Sequence, residues 1–296
     1  MVLFGLAFMF TRKALVSASI FTLLSWRFFL AFFLMTALRV LGIWKIDLKG
    51  LPLSLLCIGL FQPVMYFFFE TTGIRMTSVA EAGIITSMIP IVSMIMAVLF
   101  LREYPAWLQL ISIILSVLGT IVVVLGQDIT SPTFHLLGYF ALFGSVTSAA
   151  LFMVFSRRTV NYSSSAKAYV MLGVGFVAFT AAAAVEHLRN GTVVKWLTLP
   201  AYDMNFLGAI LYLGTITSVA GMWAMNLSIE RLGVHRASTF AGVATVVSVI
   251  TGVFIMRESL TFAQVLGMIM ILLGVAGVNK FARDPNKTEK QYAKQA

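Results

Sequence analysis

Apolar runs of membrane-crossing length follow one another almost from end to end of this chain, and no other feature constrains its fold as tightly. A helix that crosses the hydrocarbon of a bilayer needs about 20 mostly apolar residues. Charges and turn residues mark off ten such segments: 2–16, 21–43, 51–73, 79–101, 107–126, 136–155, 168–185, 206–229, 237–256 and 262–281. Connections such as RMTS, REYPA and RESLT are too short for anything but antiparallel neighbours. Charged residues are 11% of the chain, against about 25% in ordinary globular domains, so no soluble surface can be made from them. The expected fold is all-α and integral to the membrane, with ten transmembrane helices facing lipid. Residues 282–296, which end in RDPNKTEKQYAKQA, read as a disordered polar tail.

The formal charge of +10 does not point to nucleic acid, because the basic residues sit in short clusters between apolar runs and in the tail. Ten spans put both termini on one side, and 14 of the 21 Lys and Arg fall there, among them Lys45, Lys49, Arg102, Arg157 and Arg158. Lys and Arg bias sets orientation, so that side is expected to be cytoplasmic. The expected location is a plasma membrane. The first span is short, since ten residues precede Thr11 and Arg12; either the helix is short or upstream sequence is missing. Arg12 and Lys13 can snorkel to the outer interface. Met1 leads straight into VLFGLAFMF without a basic start or a cleavage site, so the stretch reads as retained helix. Cys57 is the lone cysteine, expected as a small buried hydrophobe, and neither an internal disulfide nor a cysteine metal site can form.

Sliding the chain against itself by 155 residues aligns 59–123 with 214–278 without a gap. Arg102 and Glu103 fall on Arg257 and Glu258, Gln109 on Gln264, and Gly119 on Gly274. Such polar and glycine matches weigh more than coincidences between Val- and Ile-rich helices. They divide the chain into a five-helix unit over 1–126 and a second over 136–281. Five is odd, so the second unit enters the membrane from the opposite side, which is inverted-repeat architecture. Secondary transporters are built this way, with a substrate site near the midplane between the repeats.

The stretches TSVAEAGIITSMIPIVSMIMAVLFLRE and LQLISIILSVLGTIVVV in the first unit, and ASTFAGVATVVSVITGVFIMRESLTFAQVLGMIMILLGVAGV in the second, resemble the EamA-like family of the drug/metabolite transporter superfamily. FTLLSWRFFLAFFL, with Arg27, is similar to that family's second helix. The resemblance implies ATP-independent export or exchange of amino acids, nucleotide-sugar-like compounds or other metabolites. The chain departs from the family in having Phe4 and Gly5 where Trp-Gly is usual, and its second repeat has Thr245 where the first has Pro90.

Ionisable residues within spans cost about 2.5–3.5 kcal/mol each at a helix centre on insertion scales, so each needs a reason. Arg27, Glu70 and Glu81 share the outer half, either as an ion-pair cluster with Arg75 that holds the helices together or as an outer gate or coupling pair. Gln62, Tyr66 and Glu70 recur every fourth residue on one face of the third span, which should turn to protein or water. Pro63 and Pro90 each remove a backbone hydrogen bond, freeing carbonyls that either bind substrate or are satisfied by neighbouring helices. In the eighth span Tyr212, Thr215, Val219, Met222 and Asn226 follow one face with Trp223 beside it. The candidate substrate-binding set is therefore Gln62, Tyr66, Glu70, Pro90, Tyr212, Trp223 and Asn226; the candidate gating or coupling set is Arg27, Glu70 and Glu81. Both Arg-Glu pairs read as structural, each carboxylate favouring the start of the helix that follows.

His135, His187 and His235 fall in three separate connections, so no metal site or cofactor is expected. No phosphate-binding G-x-x-x-x-G-K-[ST] loop is present for an ATP-driven pump, and no G-x-S-x-G nucleophile pattern for a hydrolase. The expected function is secondary transport of a small-molecule substrate, with the lipid bilayer as surroundings and protons as a candidate coupling ion. A channel or a non-transporting receptor on the same bundle is the alternative. Substrate identity, direction and oligomeric state are left open by the residues.

Overall fold

The computed structural model describes residues 2–44, 46, 53–101, 106–125, 135–156, 162–239 and 241–281, and the regular structure of these residues is entirely helical. The helices are α1 (Val2–Ala14), α2 (Ile20–Val40), α3 (Leu55–Met76), α4 (Val79–Phe100), α5 (Trp107–Leu125), α6 (Leu136–Ser156) and α7 (Ser164–Asn190). They continue with α8 (Val193–Tyr202), α9 (Met204–Ser228), α10 (Val243–Ile255) and α11 (Phe262–Lys280). Eight of them (α2 to α7, α9 and α11) are long and apolar enough to cross a bilayer, and the chain is a multi-pass membrane protein. α1 has 13 residues, and α10 is likewise shorter than a full crossing.

Polar side chains start many of these helices where the apolar runs begin. Ser19 accepts the Thr22 amide at 3.1 Å at the start of α2, Ser163 accepts that of Ala166 before α7, and Asp203 accepts that of Phe206 before α9. Ser78 with Glu81 and Thr261 with Gln264 form reciprocal capping boxes that start α4 and α11. Gly191, at φ 65°, ends α7 in the left-handed conformation that glycine adopts without a Cβ clash.

Several boundaries differ from the sequence reading. α7 runs to Asn190, so His187 is helical and not in a connection. Its ring lies 5.4 Å from that of Trp196, and its nitrogens bond the hydroxyls of Thr22 and Thr192, both at 2.7 Å. α8 went unread because ten residues holding Lys195 and Pro200 cannot span a bilayer. It is pinned to α2 by Trp196, whose indole donates to Ser25 and whose carbonyl accepts from Trp26. α9 continues as helix to Thr239, so His235 also lies in a helix. Cys57 is exposed, which on a membrane helix means lipid-facing, and an apolar run cannot tell a lipid face from a buried one. Lys45, Lys49, Arg102, Glu103, Gly126, Arg157, Arg158 and the tail 282–296 lie outside the described residues.

α1 packs on α9 and α10, and α6 packs on α3 and α4. α2 packs on α7 and α9, α4 on α10, and α5 on α11. The last pair crosses on glycines: a Cβ on Gly119 would stand 2.7 Å from the Gly267 carbonyl, and one on Gly274 would stand 2.6 Å from that of Ser112. The crossing is antiparallel, since the earlier residue on α5 meets the later one on α11. Advancing Gly119 and Ser112 by 155 positions gives Gly274 and Gly267, so the two contacts exchange.

Two of the crossing helices contain wide π-helical turns, Leu60–Met65 in α3 and Tyr212–Gly221 in α9. At Gln62 the backbone leaves the helix altogether, with φ −141° and ψ 114°, just before Pro63. In α4 the break comes at Ser87 and Met88, so Pro90 stands in the first turn of the stretch Ile89–Leu101, where a missing N–H is harmless.

Candidate functional site

The broken part of α3 faces a cavity walled by helices from both halves of the chain. α2 contributes Arg27, and α3 contributes Gln62, Tyr66, Phe67 and Glu70. Phe4, Ala7 and Phe8 of α1, Thr86 and Ile89 of α4, Ala149 and Met153 of α6, Met225 of α9 and Ala244 complete the wall. Polar groups gather at one end. Arg27 stands eight residues past Ser19 and Glu70 six residues before Met76, about 12 Å and about 9 Å from their helix ends. Beyond Gln62 the wall is mostly alanine, methionine and aromatic, reaching Met225 near the far end of α9.

Arg27 is 1% exposed and forms no direct ion pair with a carboxylate among the described residues. Its Nε donates to Ser218 Oγ at 2.9 Å and its Nη2 to Thr217 Oγ1 at 3.3 Å, both on the π-helical part of α9. The guanidinium lies 4.1 Å from the centre of the Phe67 ring, a cation–π contact that a dry site strengthens. Glu70, also buried, accepts a 2.6 Å hydrogen bond from Tyr66 one turn earlier on α3.

The helix ends on the Arg27 side are tied across the bundle. Arg12 of α1 donates to the carbonyls of Ile74 and Arg75 at 2.6 and 2.7 Å. Glu81 accepts from the Ser78 amide, from Tyr139 of α6 at 2.6 Å and from Gln264 of α11 at 2.9 Å. The carboxylate of Glu258, after α10, accepts the Val79 and Ala80 amides at 2.7 and 3.0 Å. Glu258 thus caps α4 and not the helix that follows it, because Arg257 at φ 58° turns the chain back over α4.

The structure brings Arg27, Gln62, Tyr66 and Glu70 together and places the other sequence candidates elsewhere. Glu81 belongs to the capping network, Arg75 is exposed and forms no ion pair among the described residues, and Pro90 is buried and is not part of the cavity wall. Tyr212 stacks on Phe10 at 4.3 Å and donates to the Leu3 carbonyl, Trp223 lies 5.3 Å from Trp44, and Asn226 donates to the Met222 carbonyl. The face assigned to α9 assumed a regular 3.6-residue turn, and the π-helical stretch Tyr212–Gly221 rotates everything after it. Met225, Thr217 and Ser218 take the inward positions instead. The two hydroxyls were detectable as a polar pair in an apolar helix; Phe4, Phe8 and Phe67 carry no signal apart from any other membrane phenylalanine.

A bundle of membrane-length apolar helices around one cavity suits a membrane transporter, and the family of the chain decides the class. The chain belongs to the EamA-like transporter family, whose model matches residues 1–125 and 136–280, and so to the drug/metabolite transporter superfamily. It is 32% identical to the uncharacterized transporter YcxC of Bacillus subtilis over 93% of this chain and 88% of that one. An uncharacterized transporter of Archaeoglobus fulgidus is 26% identical over 92% of each chain. A solved crystal structure at 18% identity covers 95% of this chain and 97% of its own with a TM-score of 0.63, a likeness of fold.

Proposed function

We propose that the chain is a secondary transporter that moves small organic metabolites, amino acids or related compounds, by alternating access, in the export direction. The observation that carries this reading is the cavity: Arg27, Gln62, Tyr66 and Glu70 converge on a space walled by both halves. Buried ionisable groups at membrane depth are costly and mark substrate or ion pathways.

In this reading α1 and α10 are crossings as well, giving ten helices in two inverted units, 1–126 and 136–281. The interchange of contacts between α5 and α11 supports it, because an antiparallel pair of membrane helices related by a two-fold axis has that axis in the membrane plane. The packing of α1 on α9 and α10, mirrored by that of α6 on α3 and α4, supports it too. The wide turns of α3 and α9 fall at corresponding positions of the two units, as midplane sites between repeats require. With both termini in the cytoplasm of a plasma membrane, the tied helix ends close the outer side and the cavity extends inward.

Counterflow in proteoliposomes tests the function. A carrier exchanges labelled for unlabelled substrate with saturation; a flux that rises linearly with concentration indicates a channel, and binding without flux a receptor.

A further inference from the structure

The cavity holds one positive and one negative side chain, and they are not equivalent. Arg27 cannot lose its charge in a protein. Its bonded partners are the neutral hydroxyls of Thr217 and Ser218 and the Phe67 ring, and its Nη1 makes no hydrogen bond to a described residue. A guanidinium has five donors in a planar fork that matches a carboxylate, and most of these remain for a ligand. Glu70 is different: Tyr66 already occupies one of its oxygens, and a carboxyl can take up a proton.

From these facts we propose that the cavity takes a singly charged organic anion with an apolar body, seated on Arg27, and that Glu70 accepts one proton for each anion bound. This narrows the proposed metabolites to carboxylates that lack an ammonium group, and it rests on the transport reading for the movement of the pair and on the cavity alone for its binding. Empty, the site contains a guanidinium and a carboxylate and is neutral. An added anion leaves it with a net negative charge inside a low-dielectric wall, an arrangement that is expensive unless compensated. A proton from water entering the cavity, placed on Glu70, restores neutrality: guanidinium, bound anion and carboxylic acid. The O–H formed on Glu70 replaces the one broken in the hydronium or buffer acid that delivers the proton, and no other bond changes. The other groups facing Glu70 do not alter the balance. On its own helix it faces Tyr66. Of the helices packed on α3, α1 presents Phe4 and Phe8, α4 Thr86 and Ile89, and α6 Ala149 and Met153, and α2 adds a charge, Arg27. α7 also packs on α3, with its ionisable groups outside the cavity wall: Lys167 and Arg189 stand near its two ends, Glu186 accepts from Ser19, and His187 is bonded to Thr22 and Thr192. Arg12 and Glu81 are held in the ties at the helix ends.

The test uses the full chain and three probes of one shape: phenylacetate, phenylacetamide and phenethylammonium. In detergent the protein is expected to bind phenylacetate, to take up close to one proton per ligand in weak buffer, and to lose affinity by about tenfold per pH unit once Glu70 is ionised in the empty site. Phenylacetamide should bind without proton uptake, and phenethylammonium least of the three. Glu70→Gln keeps an acceptor for Tyr66; in it, phenylacetate affinity should change less than about twofold between about pH 6 and pH 8, with no proton uptake. Arg27→Gln should lose phenylacetate, and if it fails to fold the Glu70→Gln comparison decides alone. In proteoliposomes, where the imposed gradients set the direction of flux, an inward pH gradient should drive phenylacetate uptake faster than the diffusion of the neutral acid into protein-free liposomes, and a potassium–valinomycin potential should not, because anion and proton together carry no charge. Failure of phenylacetate to bind at millimolar concentration, pH-independent binding to the wild type, or preference for phenethylammonium overturns the proposal. Binding with proton uptake but no flux keeps the anion site and removes transport; flux of the cation alone keeps transport and removes the anion site.

Discussion

Glu258 shows what one side chain contributes when both its oxygens cap a helix that is distant in sequence. Glu258→Ala leaves the Val79 and Ala80 amides without their partner and is expected to lower stability by about 2 kcal/mol, read as unfolding of the purified protein in detergent. Glu258→Gln, which retains one acceptor, should lose less. Asp203 gives a pH signature outside the membrane spans: the Ser17 hydroxyl and then the Phe206 amide hold its carboxyl below the ordinary 3.8. A depressed carboxyl stabilises above the unfolded value and loses that contribution as pH falls through the folded one. Asp203→Asn, still a good cap, should match the wild type at neutral pH and show a smaller drop in melting temperature on acidification below about pH 4. At this scale the sequence was readable where charge is expensive. Arg27 and Glu70 stand out in apolar runs, and both reach the cavity. Cys57 and Trp223 are apolar or amphipathic among many like them, and only packing decides whether such residues face lipid, protein or cavity.

Among the helices, α5 and α11 approach so closely that a methyl group has no room. Gly119→Ala is expected to push the two apart and lower stability by about 1–3 kcal/mol. Gly208→Ala is the matched control, since its Cβ meets nothing within 4 Å, and it should be neutral or stabilising by up to about 1 kcal/mol. Melting temperatures of the two variants in one detergent compare them directly. Hydropathy found the crossing helices because their length is set by the bilayer, and Gly119 and Gly274 stood out in the repeat at matched positions. It missed α8, whose length is set by nothing of the kind. It also misjudged the inward face of α9, because a wide turn inserts a rotation that residue periodicity cannot register.

For the molecule as a whole, topology is the measurable quantity. In a Cys57→Ser background, a cysteine at Asn190 is expected to react with an impermeant reagent from outside and one at Asn286 only from the cytoplasm. Labelling of both from one face contradicts the three crossings, α9, α10 and α11, that the ten-helix arrangement puts between them.

The ties at the helix ends on the Arg27 side bear on kinetics as well as shape. Arg12 on two carbonyls, Glu258 on two amides and Glu81 on a tyrosine and a glutamine are all charge-assisted bonds, and they join α1, α4, α6, α11 and the segment after α10 to their neighbours. A rocking motion that opens this mouth must release several of them together, whereas the opposite mouth, lined by Met153, Met225 and Ala244, parts apolar surfaces one at a time. In the proposed alternating-access cycle the two half-cycles then have unequal barriers, and the return through the tied mouth sets the turnover. Loosening one tie without touching the cavity, as Glu258→Gln does, should lower that barrier and raise the exchange rate while the half-saturating substrate concentration changes little, a catalyst made faster by being made less stable.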